Sequence, residues 1–334
     1  MPTDVHAHYV PPQMLESLEA RGREFGLSVV KHPPSCQCGL HFDYGLKVRP
    51  FFEKLVEPRD RRLAGMDEQG VDRQVLSTWT DISAYGLPLA ERQKWHRYLN
   101  EHLSEFCLRH PQRFAMLATV PLPDGAEAAA ELDHAVRQFG AVGAVVGANI
   151  EGVNLGELDL DAFWQTAVDL NVGVFIHPVQ AMPVPRTGKF ALGQIAQYTH
   201  DTTLTVGSLI FSGVLDRFPK LRLLLSHGGG TFPYLTGRFD IMHARMDRKA
   251  QGDVAQANPS AYVKRFYYDT IVHDPNILRW LTEKVTVDRV VLGSDYSFPP
   301  EDRDPVGTVR RAELPPGGFE KIVEDNPRVL FPRL

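Results

Sequence analysis

Eight short apolar runs, separated by longer stretches of helical character, limit most strongly how this chain can fold. The runs lie near Thr3–His8, Val71–Ser77, Phe114–Pro121, Ala141–Gly147, Val172–His177, Leu221–His227, Phe266–Thr270 and Val287–Ser294. Several are almost unbroken Val, Leu, Ile and Ala, as expected of strands buried on both faces of a parallel sheet. Between them, Glu91–His110, Gly125–Phe139, Leu160–Leu170, Thr202–Phe218 and Pro275–Lys284 read as helices. Eight strands in this alternation predict an α/β fold, a (β/α)8 TIM barrel forming one domain over residues 1–334. Such a barrel takes about 250 residues, so the chain has room for an insertion. No Gly-rich dinucleotide fingerprint follows any run, which argues against an open doubly wound sheet. The segment from Pro11 to about Arg62 is far too long for a simple crossover. It reads as a lid inserted after the first strand, over residues 11–62, with helix near Gln13–Arg23. The loop Gln180–Gly193, after the fifth strand, is expected to line the same mouth.

Several runs end in side chains suited to metal chemistry. Residues two apart on a strand share a face, so His6 and His8 point the same way. His177 and Asp295 each end an apolar run, where barrel enzymes place their chemistry. A carboxylate there is costly without a cation or donor beside it. Together His6, His8, His177 and Asp295 predict a site for one divalent metal ion. His227 ends the sixth run and enters Gly228-Gly229-Gly230, which lets a ligand approach the backbone closely. It is either a further ligand or a general acid/base, for which imidazole is suited near pH 7. Tyr296 and Phe298 are placed to stack on a planar ring. Cys36 and Cys38, with His32 and His41 nearby, are spaced too tightly for an ordinary zinc knuckle and read as reduced loop cysteines.

The motifs Asp4-Val5-His6-Ala7-His8, Ile176-His177-Pro178, Ser226-His227-Gly228-Gly229-Gly230 and Gly293-Ser294-Asp295-Tyr296-Ser297-Phe298-Pro299 resemble those of the amidohydrolase-related decarboxylases. The likeness is strongest to their aminocarboxymuconate-semialdehyde decarboxylase branch. It extends through Met66-Asp67-Glu68-Gln69-Gly70-Val71-Asp72 and the stretch Leu209–Pro219. The resemblance implies metal ligation by His6, His8, His177 and Asp295, with His227 as an acid/base rather than a ligand. It implies Zn²⁺, or Mn²⁺ as in other members. It further implies that Arg49 meets a substrate carboxylate and that Arg238 reaches a neighbouring subunit's site, making the active unit a homodimer. Guanidinium is the best bidentate partner for a carboxylate. The implied reaction is nonoxidative decarboxylation of a small unsaturated or aromatic carboxylic acid, of aminocarboxymuconate-semialdehyde or hydroxybenzoate type, with His227 and Asp295 as catalytic groups and Arg49, Arg238 and Phe298 binding substrate. The alternative is a mononuclear hydrolase or hydratase acting on an amide, a lactone or a ring-cleavage product. The binuclear hydrolases of the wider superfamily use a lysine after the fourth strand, and Gly143–Asn149 has none. The chain departs from the branch after His177, where two expected tryptophans are missing and Phe190 is the aromatic left to stand in.

A net charge of −5 argues against nucleic acid as a partner, and the small-molecule carboxylate is what the resemblance implies. No run reaches the roughly 18 apolar residues of a membrane span. The N-terminal residues lack signal-peptide character, and three cysteines fit a reducing cytoplasm better than a disulfide framework.

Overall fold

The eight apolar runs pair in chain order into a single parallel sheet in the computed structural model, which describes residues 1–31, 38–179 and 186–334. Its strands are β1 (Thr3–His8), β2 (Arg73–Ser77), β3 (Phe114–Thr119), β4 (Gly143–Gly147), β5 (Gly173–His177), β6 (Arg222–Leu225), β7 (Phe266–Asp269) and β8 (Val290–Val291). The expected TIM barrel is therefore present, with helices such as Leu89–Leu108, Gly125–Gln138, Asp161–Asp169 and Pro275–Val285 between its strands. β8 is far shorter than the sequence suggests. Residues after Val291 leave β7 and turn to β1 instead: the Val5 N–H donates to Leu292 O, the Asp295 N–H to His6 O and the His8 N–H to Tyr296 O. These bonds, with a bridge between Ala7 and Tyr296, draw the last strand onto the first. The expected helix Thr202–Phe218 starts earlier and is broken. It runs over Tyr198–Phe211 and resumes at Val214–Arg217, because Gly213 takes φ 73°.

The barrel interior is filled by Val5, Val75, Leu117, Val145, Phe175, Leu224, Tyr267 and Val291, and Phe331 packs with them near the starts of β4 and β5. One irregularity matters for function. Asp4 pairs with Gln74 but Ala7 with Leu76, so three steps along β1 match two along β2. This bulge lets Val5 join the interior and still puts the His6 ring 4.7 Å from Phe175.

The insertion after β1 folds as a helix, Pro12–Arg21, and a three-stranded antiparallel sheet of Leu27–Lys31, Cys38–Phe42 and Lys47–Val48. Its apolar side chains, including Met14, Leu18, Leu40, Phe42 and Phe51, pack on Trp79 and Phe298, which follow β2 and β8. The insertion thus sits against the strand ends that carry the chemistry. His32 and Cys36 of the tight cysteine cluster lie outside the described residues, and among the described residues Cys38 has no disulfide partner. Among the described residues no helix is long and apolar enough to cross a membrane.

Candidate metal centre

β1, β5 and the turn after β8 bring His6, His8, His177 and Asp295 together, all buried. One ligand atom from each lies within 4.8 Å of the others. The Nε2 atoms of His6 and His8 are 3.1 Å apart, and Asp295 Oδ1 is 3.2 Å from the first and 3.4 Å from the second. His177 Nε2 and Asp295 Oδ1 have no hydrogen-bond partner.

The opposite ring nitrogens explain why these atoms face inward. His6 Nδ1 donates to Asp269 Oδ2 at 2.6 Å. His177 Nδ1 lies 2.7 Å from Pro178 O and 3.0 Å from Thr80 Oγ1. His8 Nδ1 lies 3.0 Å from Ser77 Oγ and 3.3 Å from Thr78 O. Carbonyl and carboxylate oxygens accept only, so the protons of these rings sit on Nδ1 and the Nε2 lone pairs converge. Lone pairs aimed at one another and at a carboxylate repel unless a cation lies between them. The donor set therefore fits a single divalent ion, with three imidazoles and one carboxylate.

In the metal-free cluster the carboxylates draw a proton toward His6. Burial drives the Asp295 carboxyl up, but the charge of His6 and the close approach of the His227 and His8 rings outweigh it and hold the group well below the usual range. His6 is pushed up to about 10, because the Asp295 and Asp269 carboxylates outweigh burial. Burial, reinforced by His8, His6 and His227, drives His177 well below its ordinary value.

His227 sits just after β6, at φ 54°, with its Nε2 3.6 Å from Asp295 Oδ2 and its Nδ1 without a hydrogen-bond partner. It lies outside the four-atom cluster yet within reach of one of its members. Together with His177 and Asp295 it opens onto a pocket of about 460 Å³. Arg49 and Phe298 line the same pocket. The Arg49 guanidinium lies over the rings of Phe52 and Trp79, at 4.9 and 5.3 Å. Arg238 is elsewhere. It belongs to the helix Phe232–Arg245 and lines a separate cavity of about 700 Å³ with His200, Phe239 and Met242.

Two site features escape a reading of the sequence alone. Asp269, which ends β7, touches both His6 and the His227 turn. An acid closing the apolar run Phe266-Tyr267-Tyr268 carried the same signal that pointed to Asp295. The second feature is the pocket wall after His177. Phe190, expected to stand in for a missing tryptophan, is 83% exposed and does not line the pocket. Gln194, Ile195 and Tyr198 do so instead, from a π-helical turn at Gly193–Gln197 that runs into the next helix.

Comparison with known proteins agrees with this architecture. The sequence profile described as "Amidohydrolase" matches residues 3–333. The 2-amino-3-carboxymuconate-6-semialdehyde decarboxylase of Dictyostelium discoideum is 31% identical over 297 residues, 89% of this chain and 81% of that one. The gamma-resorcylate decarboxylase of Rhizobium radiobacter is also 31% identical, over 80% of this chain and 85% of its own. Among solved structures, a dihydroxybenzoic acid decarboxylase from Polaromonas sp. JS666 with bound manganese superposes with a TM-score of 0.76. At 22% identity, over 99% of this chain and 96% of that one, the last likeness shows the fold.

Proposed function

This chain belongs to the amidohydrolase family, and from that premise we propose that it is a metal-dependent, nonoxidative decarboxylase of a small aromatic or unsaturated carboxylic acid. The observation that carries the reading is one pocket onto which two of the four converging ligands, His177 and Asp295, open beside His227 and Arg49. Both relatives described above are decarboxylases by name.

The ion, held by His6, His8, His177 and Asp295, would supply positive charge to orient substrate oxygens and spread their negative charge. Its donor set suits Zn²⁺, and Mn²⁺ is the alternative. Arg49 offers two parallel N–H donors to a substrate carboxylate, and its contacts with the Phe52 and Trp79 rings hold the guanidinium at the pocket. Phe298, whose ring centre is 4.8 Å from that of His8 and 5.8 Å from that of Trp79, offers a face for a planar substrate. His227 and Asp295 manage the proton. It is delivered to the carbon that bears the carboxylate, the electrons of the breaking C–C bond return to the π-system, and carbon dioxide leaves. Water must stay out of the step, and the inserted segment packed around Phe298 and Trp79 is suited to act as a lid.

A homodimer is part of the same reading. The helix bearing Arg238 also carries Tyr234, 80% exposed, with Ile241 and Met242 exposed beside it. An apolar face of this kind suits a second copy, through which Arg238 would enter the neighbour's pocket. Cys38 and Cys107 form no disulfide among the described residues, which fits a cytoplasmic setting.

The reading is tested by incubating metal-loaded protein with a panel of hydroxybenzoic and muconate-type acids, following carbon dioxide beside product mass. Gas release with loss of the carboxyl mass is expected. Addition of water without gas would make the protein a hydrolase or hydratase. Mixing the Arg238→Ala variant with an inactive His227→Ala variant should restore part of the activity through hybrid dimers, and no recovery would separate Arg238 from the site.

A further inference from the structure

Asp269 has no exposed surface and directs three of its four hydrogen bonds to His6 and the turn that carries His227. Its Oδ2 accepts from His6 Nδ1 at 2.6 Å and from the His227 N–H at 2.9 Å. Its Oδ1 accepts from the Gly228 N–H at 2.8 Å and from the Ile271 N–H at 3.1 Å. From this geometry we infer that Asp269 is a positioning residue that ties the metal ligand His6 and the proton carrier His227 into one unit. The His227 half of the inference rests on the acid/base role proposed above, and the His6 half does not.

The two halves follow from different physics. An ionised carboxylate can only accept, so it keeps the His6 proton on Nδ1 and the Nε2 lone pair at the metal site. On the other side, a non-glycine residue at φ 54° is strained, and such a backbone persists only where its surroundings over-determine it. The consecutive N–H groups of His227 and Gly228 form a small anion-binding concavity, and Asp269 fills it. Val272 closes the turn from the far side. A side chain at Gly228, itself at φ 62°, would meet Val272 Cγ1 at 2.6 Å. The backbone from which the His227 ring projects is therefore held by the same carboxylate that sets the His6 tautomer.

Asp269→Asn tests this with little change of shape. In either amide orientation an NH₂ group faces two donors that Asp269 now accepts, and the charge is lost. The first measurement is zinc affinity, by titration against a competing chelator, with the absorption spectrum of the cobalt(II)-loaded protein beside it. A roughly 10- to 100-fold weaker affinity is expected, the usual effect of losing a carboxylate behind a ligating histidine. Wild-type affinity together with a wild-type cobalt spectrum would overturn the proposal. The second measurement is carbon dioxide release at saturating zinc. A rate still reduced at least tenfold is expected, because added metal does not re-aim His227. Full recovery of the wild-type rate would break the proposed link to His227. Should wild-type protein release no gas from any acid, the proposed function fails while the zinc affinity still reports on Asp269. Should the variant not fold, proton NMR of the wild-type metal-loaded protein replaces it. A far-downfield imidazole N–H resonance that disappears in His6→Gln is expected, and its absence would overturn the proposal.

Discussion

His227 Nε2 and Asp295 Oδ2 face each other across 3.6 Å, yet the two residues should fail differently when removed. Asp295 is one of four converging ligand atoms, so Asp295→Ala, like His6→Ala, should lose bound metal, which elemental analysis of the purified protein would show. His227 lies outside that cluster. Its alanine variant should keep a full complement of metal while turnover falls roughly 100- to 10,000-fold, the usual worth of a positioned acid/base. Metal loss in His227→Ala would make it a ligand. The ligand residues are legible in the sequence because strand geometry restricts them. His6 and His8 are two apart on one strand, and His177 and Asp295 end apolar runs. Arg49 is not legible in that way. It follows a two-residue strand in the insertion, where no periodicity points to the pocket, and only likeness to a family singled it out. Gln194 and Tyr198 were hidden for a related reason, since a π-helical turn shifts the faces that an α-helical count would assign.

At the scale of elements, the junction of β1 with the segment after β8 has one isolated bridge in place of a regular ladder, and one buried cation spans it. Arg62 donates to His8 O at 2.9 Å, to Gln74 Oε1 at 3.0 Å and to Ser297 Oγ at 3.4 Å, linking β1, β2 and the turn that carries Asp295. The rings of Tyr9 and Tyr296 flank it, with centres 4.9 and 4.7 Å from the guanidinium carbon. Glu57, 3.9 Å away and buried, is its counter-charge. Removing one partner of a buried pair leaves the other charge uncompensated, which typically costs roughly 3–5 kcal/mol. Arg62→Met should lose stability on that scale in urea unfolding, whereas Arg62→Met paired with Glu57→Gln should recover much of it. A loss under about 1 kcal/mol in the single variant would mean that the backbone bonds hold the junction unaided. The short β8 belongs to the same account. A continuous run such as Val287–Ser294 reads as one strand, and nothing in its composition says that its second half pairs with a strand nearly the whole chain away.

For the whole molecule, the order of the strands was legible because β-α alternation and nearly unbroken apolar runs leave few topologies open. The internal electrostatics were not, because they depend on which polar groups the helices cover. His96 is the clearest case. It lies on the helix Leu89–Leu108, is fully buried, and has its Nδ1 2.8 Å from Thr119 Oγ1. Burial, aided by the charge of Arg92, pushes it from the ordinary 6.5 down to about 3. Between those two values the unfolded chain binds a proton that the folded chain refuses. Stability from this group is therefore complete above about pH 6.5 and is lost progressively as pH falls toward 3. Asp4 works in the opposite direction. Burial is the largest influence on it and raises it from 3.8 to about 6, so in that window the folded state holds the extra proton and stability falls as pH rises. The two slopes oppose each other between about 4 and 6, which hides both in a wild-type curve. His96→Gln removes only the first. In metal-depleted protein, unfolding free energy measured by urea at closely spaced pH should then fall less on going from pH 6.5 to 4.5 than it does in the wild type. An equally steep acid decline in the variant would mean that His96 is protonated in the folded state and that the helix opens to admit water there.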